Sequence, residues 1–144
     1  MTTRLREFLP NDYDAVIALW RSSEGIVLRD VDGREPIAEY LRRNPGLSFV
    51  VENGSRIIGA ALCGTDGRRG YLQHLAVAPD YRQRGIGREL ATACVTALAS
   101  RGIEKCHLMV VASNDAARTF WARLGWADRD DIRLMSHSMT NRNA

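Results

Sequence analysis

The chain has 144 residues, 45% of them hydrophobic, which is enough to bury one core without a metal or disulfide staple. Twenty basic residues against 17 acidic ones leave a formal charge of +3, and the two signs are interspersed, which argues against a dedicated nucleic-acid surface. Cys63, Cys94 and Cys106 form no Cys-x-x-Cys pair, no apolar run approaches the roughly 18 residues of a membrane span, and the N-terminus lacks the apolar core of a secretion signal. A disulfide framework and a membrane protein are thereby disfavoured, and a cytoplasmic protein is expected.

Taken in chain order, Thr3 to Phe8 alternates as a first strand, and Asn11 or Asp12 offers a cap for a helix burying Ala15, Val16, Leu19 and Trp20. A charged connection from Ser22 to Asp32 leads to a second helix over Glu35 to Asn44, with Pro36 in its first turn and Pro45-Gly46 ending it. Leu47 to Glu52 and Arg56 to Cys63 read as two strands of a hairpin turned at Asn53-Gly54. After Thr65-Asp66-Gly67 a fourth strand ends at Val77, and a helix from about Ile86, ending at Gly102, carries Leu90, Ala91, Cys94, Val95 and Leu98 at helical spacing. A fifth strand over Lys105 to Val111, a helix over Asp115 to Leu124 and a final alternating strand over Asp131 to Met139 complete the pattern, with a polar tail at about 140–144. The order is βααβββαβαβ, an α/β (α+β) single domain over 1–144 whose mixed sheet has a parallel portion at strands four and five.

The densest chemical signal lies between strand four and the long helix, where Arg82-Gln83-Arg84-Gly85-Ile86-Gly87-Arg88 joins three arginines and two glycines to a helix start. Glycines let an anion approach the main chain, and the free N–H groups of a first helical turn point at it. A Walker loop is absent, because Arg88 and Glu89 stand where Lys and Ser/Thr are needed. A Rossmann fingerprint is absent too, since Leu90 replaces the third glycine and no acid follows the next strand at Val110, Val111 and Ala112.

What remains, Arg82-x-x-Gly85-x-Gly87 after Leu75-Ala76-Val77, resembles the acyl-CoA pyrophosphate loop of the GNAT superfamily of N-acetyltransferases. The segment from Asn114 through Ala117 and Phe120 to Gly125-Trp126 is similar to a second motif of that family. Asp30 to Glu35 and Asn44 to Phe49 also resemble its YpeA-type bacterial subgroup. The resemblance implies splayed fourth and fifth strands and a CoA arm lying between them. It places the arm against the backbone of Leu75, Ala76 and Val77, its phosphates on Arg82, Gln83, Arg84, Gly85, Ile86, Gly87 and Arg88, and its far side near Asn114, Ala117 and Phe120.

The activity so implied is transfer of an acetyl group from acetyl-CoA to a primary amine by direct attack in a ternary complex. The acceptor is a small molecule, a peptide N-terminus or a protein lysine. The protein would be a monomer or homodimer, with no metal, nucleic acid or membrane involved. The alternative is a catalytically weak acyl-CoA-binding sensor. An amine must lose a proton before it attacks, and the implied carbonyl polariser is the Val77 N–H. Strand four offers Tyr71, Gln73 and His74 but no acid, and only His74 carries a side chain of a type that exchanges protons near neutrality. His74 is therefore the candidate base or water-orienter, set against a hydrogen-bonded structural histidine; Tyr71 is a second catalytic candidate. Alternation puts Leu72, His74 and Ala76 on one face unless a bulge intervenes. Trp121 stands where the family often has a tyrosine acid, and an indole cannot serve as one. Water, Tyr81 or Tyr71 would then protonate the thiolate. Glu24, Arg29, Asp30, Asp32, Arg34 and Glu35 are expected either as a solvated surface or as the wall of the acceptor cleft.

Overall fold

A computed structural model describes residues 2–140. Its elements run β1 (Arg4–Glu7), α1 (Tyr13–Arg21), α2 (Arg34–Arg43), β2 (Phe49–Asn53), β3 (Arg56–Thr65), β4 (Gly70–Val77), α3 (Ile86–Ser100), β5 (Cys106–His107) and α4 (Asp115–Arg123). Single 3-10 turns occur at Pro10–Asp12, Asp30–Asp32 and Pro79–Tyr81. The sheet order is β1-β2-β3-β4-β5, antiparallel throughout except for the parallel pair β4 and β5. This is the mixed sheet flanked by helices that the sequence implied.

Local chemistry accounts for the elements. Gly54 sits at φ 61° in the β2–β3 hairpin, a conformation that a tight turn demands and glycine adopts without strain. Arg6 on β1 donates to Asp12 at 2.8 and 2.9 Å and to Glu52 on β2 at 3.1 Å, tying the first strand to its neighbour and to the turn that opens α1. Asp12 thus spends its carboxylate on Arg6 and the Leu9 N–H rather than capping α1. The buried stripe of α1 is Val16, Ile17, Leu19 and Trp20; Ala15 is exposed, because the helix is rotated to bring Ile17 inward.

Helix α3 covers one face of the sheet, so close that a Cβ on Gly59 would stand 3.1 Å from both Ile86 and Leu90. Helix α1 packs on β3 and β4 from the opposite side, where Tyr40 of α2 also fills the space over Gly64. Among the described residues, every buried apolar one lies between Phe8 and Leu98.

The C-terminal part departs from expectation. The fifth strand is two residues long instead of seven, because the ladder to β4 consists of Gly70 opposite Cys106 and Tyr71 opposite His107 and then stops. Residues 131–139 form no strand, so the order is βααβββαβα; Ile132, Leu134, Met135 and Met139 are 57–91% exposed. Alternation marks two faces, but a strand also needs a neighbouring main chain to receive its N–H and C=O groups, and the β5 ladder ends before it could supply one. Of the predicted tail, Thr140 is irregular and exposed, and 141–144 lie outside the described residues.

Candidate active site

The site is organised by an irregularity in β4. Opposite Ala60 to Leu62 of β3 the register slips: Leu62 faces Gln73 and Ala60 faces Ala76, so His74 and Leu75 together oppose Ala61. His74 takes φ 54°, a left-handed conformation that strains any residue with a Cβ by about 1–3 kcal/mol. The extra residue reverses the alternation. Leu72, opposite Cys63, and Ala76, opposite Ala60, lie on opposite faces, which corrects the expectation that they share one. Simple alternation from Leu72 would aim His74 at the α3 side, whereas the bulge turns it toward α1 and the turn at Asp30–Asp32. There Trp20 tilts over the imidazole at 5.0 Å between centroids, and Nε2 lies 2.9 Å from Asp32 Oδ1. Asp32 is 5% exposed, although it comes from a highly charged stretch of the sequence. Its other oxygen accepts from the Arg29 N–H, and its carbonyl from the Tyr13 hydroxyl.

Three residues further on, the main chain of Val77 opens. Ala78 donates its N–H to Ile58 of β3, so by antiparallel alternation the adjoining pair, Val77 and Gly59, exchanges no bonds, and Val77 points its N–H and C=O away from β3. On that side β5 has already diverged. The Val77 carbonyl accepts from Arg82 Nε at 3.2 Å, which folds the loop back over the strand end. The same alternation turns the groups of Ala76 toward Ala60, so it is Val77 and not Ala76 that has its amide open on the β5 side.

The loop itself is concave. Gln83 at φ 60° and Gly85 at φ 81° are both left-handed, and Gly85 is the N-cap of the 15-residue α3 without any side-chain cap. Successive turns of this kind aim main-chain N–H groups at one point, where the partial positive charge of a helix start adds to them. A Cβ on Gly85 would meet nothing within 4 Å, so the cradle is open. A Cβ on Gly87 would stand 3.0 Å from Phe120 Cζ, so the glycine lets α4 approach α3. Ile86 is buried in the core; Arg82, Arg84 and Arg88 are exposed, with Arg84 lying over the Tyr81 ring. Arg88 borders two open clefts of about 420 and 540 Å³, one shared with Gly85, Glu89 and Thr92, the other with Thr119, Phe120 and Arg123.

Asn114 caps α4 by accepting from the Ala117 N–H at 3.1 Å, and its amide nitrogen would stand 2.6 Å from a Cβ on Gly25. The α1–α2 connection therefore touches Asn114 at one end and His74, through Asp32, at the other. Trp121 packs edge-on against Phe120 and Trp126, a structural position.

The remaining candidates lie elsewhere. Tyr71 is six residues before Val77, roughly 20 Å along the strand, with its ring against His107 and its hydroxyl 3.4 Å from Asp66. The Tyr81 hydroxyl accepts from Asn53. Arg34 pairs with Asp14 and lies over Tyr13, and His137 is exposed. Asp32 as the partner of His74 was not foreseen, since 42 residues separate them and nothing in a charge run marks its one buried member. Among the described residues no cluster of three or more His, Cys, Asp or Glu is arranged to hold a metal.

Residues 13–126 match the Acetyltransferase (GNAT) family, and the chain belongs to it. It is 37% identical over 131 residues to an acetyltransferase of Pectobacterium atrosepticum, covering 90% of this chain and 92% of that one. An acetyltransferase of Sodalis glossinidius is 34% identical over 132 residues, covering 91% and 92%. Among solved structures, the fold is similar to that of the PaiA N-acetyltransferase of Thermoplasma acidophilum in complex with coenzyme A, with a TM-score of 0.81 at 21% identity over 92% of this chain and 94% of that one. It is also similar to the ribosomal-protein-S18-alanine N-acetyltransferase of Escherichia coli, with a TM-score of 0.74 at 21% identity over 99% and 88%.

Proposed function

We propose that the protein is a cytoplasmic acetyl-CoA-dependent N-acetyltransferase that acetylates a primary amine by direct transfer. The observation that carries this reading is the convergence at the end of β4, where the open amide of Val77 lies between the His74 bulge and the Arg82–Arg88 loop. The loop suits a diphosphate: Gly85 leaves its cradle unfilled, and left-handed Gln83 and Gly85 gather main-chain N–H groups beside three arginines. Bound there, acetyl-CoA supplies an acetyl group already activated as a thioester.

The chain's own residues do the rest. The Val77 N–H is positioned to donate to a carbonyl oxygen and stabilise negative charge developing on it. His74 takes the proton of the incoming ammonium group, which has an ordinary pKa of about 10.4 and must be neutral to attack. A thiolate leaves without an acid, so Trp121 in place of a tyrosine does not stop turnover. Direct transfer is favoured over an acyl-cysteine route. Cys63 and Cys94 are buried, and although the Cys106 thiol pulls Cys63 down, Cys94 and burial outweigh it and push Cys63 up to about 12. The Cys63 contact and burial also raise Cys106 far above the ordinary thiol range. Three free thiols suit a reducing compartment.

Thiol release from acetyl-CoA, measured against a panel of amino acids, polyamines, peptide N-termini and lysine peptides, tests the reading. Amine-stimulated release is the expected result. Tight CoA binding with no stimulated release across the panel and across pH would assign the protein to acyl-CoA sensing instead.

A further inference from the structure

We infer that Asp32 is the positioning residue for the base, fixing the proton on Nε2 of His74 and leaving Nδ1 to receive the proton of the acceptor amine. This rests on the reading of His74 given above. Asp32 belongs to a run of charge that would ordinarily face solvent, yet it is 5% exposed, and burying a carboxylate is costly unless its oxygens are all partnered. Here they are: Oδ2 accepts from the Arg29 N–H at 2.9 Å, Oδ1 faces His74 Nε2 at 2.9 Å, and the residue's own carbonyl is held by Tyr13 at 2.8 Å. An ionised carboxylate can only accept, so the imidazole nitrogen facing it carries the hydrogen. The other nitrogen, Nδ1, keeps its lone pair and has no protein partner among the described residues.

A tie between the turn and β4 would explain the bond alone. It does not explain why β4 accepts a left-handed histidine to make it, since a bulge costs strand pairing and strain that a surface-linking residue could avoid. The arrangement matches the requirement of a base: one fixed tautomer, one free lone pair, and a counter-charge behind the ring. When one ammonium N–H bond breaks, its electron pair stays on nitrogen to form the new N–C bond and the proton moves to Nδ1. The C–S bond then breaks with its electron pair leaving on the thiolate, and the second N–H proton passes to that thiolate or to water. The resulting imidazolium is stabilised by Asp32 until Nδ1 returns the proton to water. Asp32 is the charged group facing the ring. Trp20 of α1, tilted over it at 5.0 Å, does not titrate, and Tyr13 and Arg29 meet Asp32 rather than the imidazole.

The test compares wild type with Asp32→Asn, Asp32→Glu and His74→Gln in steady-state kinetics across pH, alongside acetyl-CoA affinity and ¹⁵N NMR of the histidine ring. In wild type the NMR should show Nε2 protonated and Nδ1 bare. His74→Gln should lower kcat by about 10²- to 10⁴-fold. Asp32→Asn should lower it by at least about tenfold, with acetyl-CoA affinity within about twofold of wild type. Asp32→Glu should recover part of the rate. An inactive His74→Gln beside an Asp32→Asn with wild-type kcat would overturn the role of Asp32 while leaving the base in place. A fully active His74→Gln would overturn the base itself. A wild-type ring protonated on Nδ1 would overturn the inference whatever the variants do, including where a variant fails to fold.

Discussion

The molecule divides at Leu98. Before it, Phe8 to Leu98 contribute every buried apolar residue among those described, with Val16, Trp20, Leu47, Val50, Val51, Ile58 and Leu90 fully enclosed between α3 and the α1–α2 layer. After it, none of the described residues is buried: α4 has no enclosed side chain, β5 pairs over two residues, and 127–140 carry exposed Leu134, Met135 and Met139. The His74 bulge and the Arg82–Arg88 loop sit on the dense part, while Asn114, Ala117 and Phe120 sit on the thin one. A site that must hold strained His74 and Gln83 needs a firm base, because the core has to outweigh each strained residue. Among the described residues after Leu98, no non-glycine residue is left-handed, so no such requirement arises there.

Four measurements would break or sharpen that contrast. The largest effect is expected from paired truncations. Leu90→Ala should lower unfolding free energy by about 2–5 kcal/mol, whereas Leu124→Ala should cost less than about 1.5, both read by urea denaturation. Equal losses would erase the division. Next, Gly85→Glu places a carboxylate at the open cradle and should weaken acetyl-CoA binding by about 100-fold in calorimetry, a loss of about 2.7 kcal/mol. Unchanged affinity would remove the loop from the site. A smaller effect is expected at Gly87→Ala, where helix propensity gains about 0.5–1 kcal/mol and the new Cβ presses on Phe120. Since α4 is lightly packed, Phe120 should yield, leaving global stability within about 1 kcal/mol while amide exchange in α4 speeds up.

The smallest effect concerns pH. A hydrogen bond from Arg6 holds the Asp12 carboxyl below its ordinary range. A depressed folded value stabilises the protein above the unfolded value, near 4, and that stability is lost as pH falls through the folded one. Arg6→Ala should therefore flatten the fall in unfolding free energy below pH 4, and an unaltered slope would show that Arg6 does not brace the first strand.

Much of this was legible in the sequence. Apolar residues at helical spacing located α3 and the segment from Asn114 to Trp126 located α4 to within a residue or two, Asn53-Gly54 located the hairpin, and Arg82-x-x-Gly85-x-Gly87 located the loop before α3, because each depends on neighbours close in the chain. The bulge at His74 was not legible. Its cause is the register against Ala61, which no local pattern in β4 records. The Asp32 partnership was hidden for the same reason, being formed across the fold. The final strand was over-read, since Asp131 to Met139 has the alternation of a strand but lacks a ladder to join.

The contact of Gly25 with Asn114 and of Asp32 with His74 gives one short segment two anchor points. Residues 25–32 act as a strap of fixed length, buckled at both ends. Inserting or deleting even one residue between the buckles would draw the carboxylate off the imidazole while leaving the sheet untouched. Anyone redesigning this segment should vary side chains along the strap and preserve its count.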